Sequence, residues 1–213
     1  MPLHDRFEKG LVQLKIGLSP QQMEQSLAFV DLLQKWNRAY NLTAVRETGQ
    51  MLTQHVLDSL SILPYLWGSR FLDVGAGAGL PGIPLAIARP DIQATLLDSN
   101  GKKTRFMQQV ALELALDNVE VVKSRLEEYR PARPFDTVTS RAFGSLAAFV
   151  RMSVPLCGRE GRLLAMKGKN PEQELQGVDL MGFVPTIRRL YVPGLNAERH
   201  VICLSKSTSE NHD

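Results

Sequence analysis

The chain predicts an α/β fold: a mostly parallel sheet with helices on both faces, preceded by a helical extension. Three observations predict it. From about Ser69 onward, short apolar runs alternate with helical ones, the pattern of a parallel sheet covered on both sides. The first run, Phe71, Leu72 and Val74, carries Asp73 at its end and passes into glycines at 75, 77, 79 and 82. Strand, glycine turn and apolar helix together open a nucleotide-binding unit. Before residue 66, by contrast, the apolar positions recur at helical spacing.

In the extension, Leu3, Phe7, Leu11 and Leu14 mark one helix face, with Gly17 as the stop. Ser19 and Pro20 read as an N-cap followed by proline at the first helical position. Met23, Leu27, Val30, Leu33 and Trp36 form a stripe expected in the core. The polar run from Asn37 to Arg46 is expected to break that helix. A further helix from Met51 to Leu63, stopped by Pro64, places His55 and Asp58 three apart on one face. Spacing alone predicts a His–Asp pair at the surface.

Gln93 to Asp98 reads as a second buried strand ending in an acid, followed by a helix from about Gly101 to Leu116. Lys102 and Lys103 fall in its first turn, where positive charge opposes the helix dipole, so an outside anion or plain solvation must compensate. Val119 to Lys123, Phe135 to Ser140 and Gly161 to Lys167 are the next strands; Ser145 to Pro155 and a segment from Pro171 are helical. Phe183 to Val192 and Arg199 to Ser205 pair around Pro193-Gly194-Leu195-Asn196, an antiparallel end to the sheet. The chain divides into an extension (1–66), a nucleotide-binding domain (67–205) and a polar tail (206–213).

The glycine turn admits two ligands. Gly77, Gly79 and Gly82 fit G-x-G-x-x-G, with Asp98 about 20 residues on, as in an NAD-dependent oxidoreductase. Yet Asp73 precedes Gly75 and Gly77 as D-x-G-x-G, and a carboxylate there suits a cationic methionine amine better than a pyrophosphate. Pro81 also removes an N–H where a pyrophosphate needs donors. These features favour S-adenosylmethionine (SAM). In an open parallel sheet the ligand lies beyond the carboxyl ends of the strands. Asp73, Gly75, Gly77, Asp98, Leu126, Glu127, Arg141 and Lys167 should therefore line one rim. Asp98 would accept the ribose hydroxyls, and Leu126 and Glu127 would flank the adenine. An ion pair with Asp73 or Asp136 is the plainer role for Arg141.

A balance of 25 basic to 22 acidic residues gives a net charge of +3, compatible with a polyanionic partner without establishing one. Cys157 and Cys203 match no metal or redox spacing and fit buried thiols in a reducing cytosol. No apolar run reaches membrane-spanning length, so a cytoplasmic protein with no membrane partner is expected. His55 and Asp58 lack further metal ligands beside them, so no metal is expected.

The motifs D-V-G-A-G-A-G-L-P-G-I-P (73–84), L-L-D-S (96–99), S-R-L-E-E (124–128), S-R-A-F (140–143), A-M-K-G (165–168) and E-R-H (198–200) resemble, in order, those of the bacterial RsmG (GidB) family. N-L-T-A-V-R (41–46) and H-V-L-D-S-L (55–60) look like its N-terminal motifs. The resemblance implies a class I SAM-dependent methyltransferase, Rossmann-like, acting as a monomer on N7 of a guanine in 16S rRNA of the 30S subunit. It implies that Gly75, Leu80, Leu126, Glu127 and Arg141 bind SAM. It also places Asn41, His55, Arg125, Lys167 and Arg199 at the reaction and RNA-contact surface. Lys102, Lys103, Arg125, Lys167, Lys169 and Arg199 would supply a phosphate-contacting rim, and Phe143 or Tyr40 would stack on the base. A non-catalytic rRNA-binding assembly factor is the non-enzymatic alternative.

Overall fold

The computed structural model describes residues 1–206; apart from Lys206, the expected tail lies outside the described residues. Seven strands form one sheet: β1 (Arg70–Val74), β2 (Gln93–Asp98), β3 (Val119–Lys123), β4 (Phe135–Arg141), β5 (Cys157–Lys167), β6 (Phe183–Leu190) and β7 (Arg199–Lys206). Their order is β3-β2-β1-β4-β5-β7-β6. The first five are parallel, and β7 runs antiparallel between β5 and β6. Strand order reverses between β1 and β4, where the carboxyl ends splay and open α/β sheets take their ligands.

Helix α5 (Gly82–Ala88) follows the glycine turn, α6 (Gly101–Glu113) follows β2, and α7 (Leu146–Ser153) precedes β5. Asn100 caps α6 by accepting the Lys102 and Lys103 backbone N–H groups. Alternation along the central strands sends Leu72, Val74 and Leu97 into a core with Phe149 of α7 and Ile202 of β7. On the opposite face, Leu96 packs with Ile83 and Phe106 in a core that continues into Phe7, Phe29, Leu33 and Leu57 of the extension.

In the extension, α1 (Leu3–Leu14) ends where Lys15 turns left-handed, two residues before the expected stop at Gly17. Helix α2 (Pro20–Tyr40) has the predicted Ser19 cap, completed as a capping box by Gln22. It does not break at Asn37. It runs to Tyr40 and ends on left-handed Asn41. Asn37 is buried, and its side chain accepts the Thr43 N–H at 2.9 Å and donates to the Val45 carbonyl at 3.1 Å. The residue read as a breaker is thus a clasp that ties the next loop to the helix. The third helical segment starts earlier than expected and is composite: α3 (Thr48–Met51), a π turn (Leu52–Leu57) and α4 (Asp58–Leu60). After β5, Glu172–Leu175 form a single turn, α8, with Pro171 just outside it.

Candidate active site

At the carboxyl edge of the sheet two hollows meet at Phe143, which lines both. The first, of about 390 Å³, is bounded by Gly75 after β1, Asp98 at the end of β2, and Leu126 and Glu127 after β3. The second, of about 520 Å³, is bounded by His55 and Asp58 from the extension, Arg141 ending β4, Lys167 ending β5 and Arg199 opening β7.

In the first hollow the glycine turn is pinned to β2, since the Gly75 and Ala76 N–H groups both donate to the Leu97 carbonyl, at 2.8 and 3.0 Å. Gly75 has φ +67°, and a Cβ there would meet no protein atom within 4 Å. The backbone therefore faces the cavity directly. Asp98 is buried and accepts the Gly77 N–H at 2.9 Å and the Asn100 N–H at 2.8 Å. One bond falls on each carboxylate oxygen, which fixes the plane of the group and leaves a lone pair on each. Lys103 Nζ lies 3.9 Å from Asp98. The anion near that lysine is therefore internal, where an outside one had been expected as an alternative to solvation.

Asp73 and Leu80 line neither hollow. Asp73 is wholly buried, and Oδ2 accepts the Gly82 N–H at 2.8 Å. A Cβ on Gly82 would fall 2.1 Å from Leu96 Cδ2 and 2.8 Å from Asp73 Oδ2, so only glycine fits. The expected carboxylate at the cavity surface is corrected accordingly: Asp73 braces the start of α5 from beneath the turn. Its Oδ1 has no partner among the described residues. Burial pushes its pKa up to about 7, against the Gly82 N–H and Arg141, which favour the charged form.

The second hollow is assembled from distant segments. The pair predicted at the surface is buried, and its two members bond elsewhere. His55 Nε2 lies 2.9 Å from the Thr43 hydroxyl, while Nδ1 has no partner among the described residues. Burial first, then the Arg141 charge, lowers the His55 pKa to about 4, so the imidazole is neutral at pH 7. Asp58 bonds two arginines: Oδ1 accepts Arg199 Nε at 2.9 Å and Oδ2 accepts Arg141 Nη1 at 3.4 Å. Arg141 Nη1 also donates to the Gln54 carbonyl of the π turn at 3.1 Å. The partner of Arg141 is therefore Asp58. Asp136 instead accepts the Ser69 and Arg70 N–H groups, and Asp73 makes its one bond to Gly82. Ala142, between Arg141 and Phe143, holds φ +60°, a left-handed turn that separates the two side chains. Lys167 pairs with Glu174.

Of the other predicted residues, Arg125 and Lys103 line the first hollow, and Lys102 lines neither. Asn41 also stands outside both, its carbonyl oxygen Oδ1 taking a bond from Arg46 at 3.0 Å. Tyr40 stacks on Trp36 with ring centroids 5.2 Å apart, which leaves Phe143 as the aromatic of the site. Sequence reasoning missed Gln54 and Asp58. The i, i+3 spacing of His55 and Asp58 was visible, but Arg141 and Arg199 lie 83 and 141 residues away from Asp58.

The family described as rRNA small subunit methyltransferase G, GidB, matches residues 22–202. The chain belongs to this family. A relative from Alkalilimnicola ehrlichii named Ribosomal RNA small subunit methyltransferase G is 51% identical over 201 residues, spanning 94% of this chain and 91% of its own. One of the same name from Nitrosococcus oceani is 50% identical over 206 residues, spanning 97% and 96%. Among solved structures, the plantazolicin methyltransferase BpumL in complex with SAH matches with TM-score 0.58 at 10% identity, over 86% of this chain and 97% of that one. That likeness shows the fold, a class I Rossmann-like α/β sheet. Family membership makes the chain a SAM-dependent methyltransferase and removes the oxidoreductase alternative. The first hollow fits the cofactor. Its volume lies within the range of small-molecule sites, its floor is open backbone at Gly75, and it offers two fixed acceptor oxygens on Asp98. No group of three or more His, Cys, Asp or Glu among the described residues could hold a metal ion. No helix among them is long and apolar enough to cross a membrane.

Proposed function

We propose that the protein methylates N7 of the guanine at position 527 of 16S rRNA, acting as a cytoplasmic monomer on the small ribosomal subunit. The observation that carries this reading is the junction of two hollows at Phe143. One has the size and acceptors for an adenosine-bearing ligand, and the other is rimmed by Arg141, Lys167 and Arg199. The family and its relatives' names supply the rRNA substrate.

In this reading Gly75, Asp98, Leu126 and Glu127 hold SAM, and Asp98 takes the ribose hydroxyls. Asp73, Gly77 and Leu80 shape the turn beneath. SAM supplies an electrophilic methyl group on its sulfonium. Phe143 stacks on the guanine, which must be unstacked from its RNA, and Arg141 donates to the base edge. Guanine N7 carries a free lone pair, so no residue need remove a proton, and catalysis is mainly positioning. His55 fits that requirement, because a neutral imidazole does not oppose the positive charge that develops on N7. Lys102, Lys103, Arg125, Lys167 and Arg199 contact phosphates, with Asn41 on the same RNA-facing surface. Incubating the protein with labelled SAM and unmodified 30S subunits should place the label on N7 of that one guanine. Label at another base, or none with SAM bound, overturns the reading; the second result returns the protein to an assembly factor.

A further inference from the structure

Asp58 is almost fully buried and carries no role in the reaction described above, yet both of its oxygens are spent on arginines of the second hollow. Those arginines come from the end of β4 and the start of β7, on either side of β5. Burial pushes the Asp58 carboxyl up, and the two guanidinium charges pull it back toward the ionised form. Each arginine side chain is one-quarter exposed, so neither is sealed into the core. Each also keeps donors. Arg141 uses Nη1 for both of its bonds, and Arg199 uses Nε and Nη1, the latter on the Glu198 carbonyl. Among the described residues no acceptor is bonded to Arg141 Nε or Nη2, nor to Arg199 Nη2. Two guanidinium groups held on one carboxylate, with unspent N–H groups at the mouth of a solvent-accessible hollow, suit a tetrahedral oxyanion, because guanidinium forks match phosphate oxygens.

We infer that Asp58 is a positioning residue that sets Arg141 and Arg199 side by side as a subsite for a phosphodiester of the target RNA, with Arg141 keeping the second of its two unspent nitrogens, Nε and Nη2, for the base edge. This rests on the rRNA methyltransferase reading. Arg199 is a direct contact, and Asp58 acts only through the two arginines. The π turn contributes the second anchor, the Gln54 carbonyl, which accepts from the same Arg141 Nη1.

The test is binding of unmodified 30S subunits at fixed magnesium over a range of monovalent salt, with methyl-transfer kinetics alongside. Each phosphate contact to a single strand contributes about 0.7 to the slope of log K against log salt. Arg199→Ala should flatten that slope by about 0.7, and Asp58→Asn by a comparable amount. Each should raise KM for the subunit on the order of tenfold, the worth of a charge-assisted hydrogen bond, with SAM affinity unchanged. Because Asp58 works through both arginines, Asp58→Asn already releases Arg199, and the double variant should bind no worse than Asp58→Asn alone; independent, multiplying losses overturn the inference. Unchanged slopes in both variants also overturn it. Should Asp58→Asn fail to bind SAM, and so fail to fold, Arg199→Ala decides: it leaves the Asp58–Arg141 pair in place, and an unaltered slope there defeats the subsite. If the wild-type protein does not label 30S subunits, the functional reading falls first. If it does and the variants behave as wild type, only the subsite falls.

Discussion

Asp73→Asn isolates the energetic consequence of burying a carboxyl under the glycine turn. In the folded protein the Asp73 pKa stands at about 7, against 3.8 for the free side chain. The native state therefore holds a proton that the unfolded chain has lost, throughout the window from about pH 4 to pH 7. Stability must fall as pH rises through that window, because the unfolded state binds fewer protons there. The difference of about 3 units, at about 1.4 kcal/mol each, gives a loss of about 4 kcal/mol by pH 7 and above. Asparagine keeps an acceptor for the Gly82 N–H and cannot ionise. It leaves its amide where Oδ1 now lacks a partner, much as the protonated acid does. The variant and the wild type should accordingly be of similar stability near pH 4.5 and diverge above pH 6, with the variant more stable by up to about 4 kcal/mol at pH 8. Denaturant melts of both proteins at half-unit pH steps measure this, and subtracting one curve from the other cancels every other titrating group. A flat difference curve, or a variant that loses ground as pH rises, would falsify the account of Asp73 as a buried brace that keeps its proton up to about pH 7.

His55 should show the opposite sign. Its folded pKa of about 4, below the ordinary 6.5, means stability is complete above pH 6.5 and is lost as pH falls toward 4, by about 3 kcal/mol; His55→Gln should remove that acid-side loss from denaturant melts. Gly75→Ala should cost only the roughly 1–2 kcal/mol of a left-handed alanine yet abolish measurable SAM binding by calorimetry, because the new methyl enters the cavity; intact binding there places the cofactor elsewhere. Gly82→Ala should do the reverse, lowering the melting temperature through overpacking worth about 1–3 kcal/mol against Leu96 and Asp73. Finally, we propose that residues 1–66 are a helical extension of the 67–205 domain that cannot be dispensed with. A fragment lacking it would expose Ile83, Phe106 and Val110, and should bind a hydrophobic dye and fail to bind SAM.

What the sequence made legible were the features whose causes are local. The strand bounds of β2 and β3 follow from apolar runs closed by turn residues, and the Ser19 cap from a hydroxyl ahead of a proline. The first hollow was readable for the same reason: Gly75, Asp98, Leu126 and Glu127 lie at or just past the end of a strand, and the topology collects strand ends. Asn37 misled because polarity was taken as a break, when a buried amide can serve two loop groups at once. Asp73 misled because a strand-end acid beside glycines signals a ligand contact equally well as a brace. The second hollow was opaque because its organising bonds join residues up to 141 positions apart, and a π turn has no compositional mark.

The charges of the second hollow bear on turnover as well as binding. Methylation at N7 converts a neutral base into a cation. The proposed site surrounds that base with Arg141, Lys167 and Arg199, while its one buried acid, Asp58, is already bonded to two of them and Lys167 is bonded to Glu174. The neutral His55 adds no compensating charge of either sign. The same cations that attract an RNA phosphate therefore favour the unmodified base over the methylated one in the pocket. Because like charges at a few ångströms interact strongly where water is partly excluded, this difference works on product release. A subunit already methylated should compete for the protein more weakly than an unmodified one, and the gap should persist in Arg199→Ala while the overall affinity of both falls, since Arg141 and Lys167 still face the base. Equal inhibition by the two subunits would mean that the methylated base does not occupy this hollow.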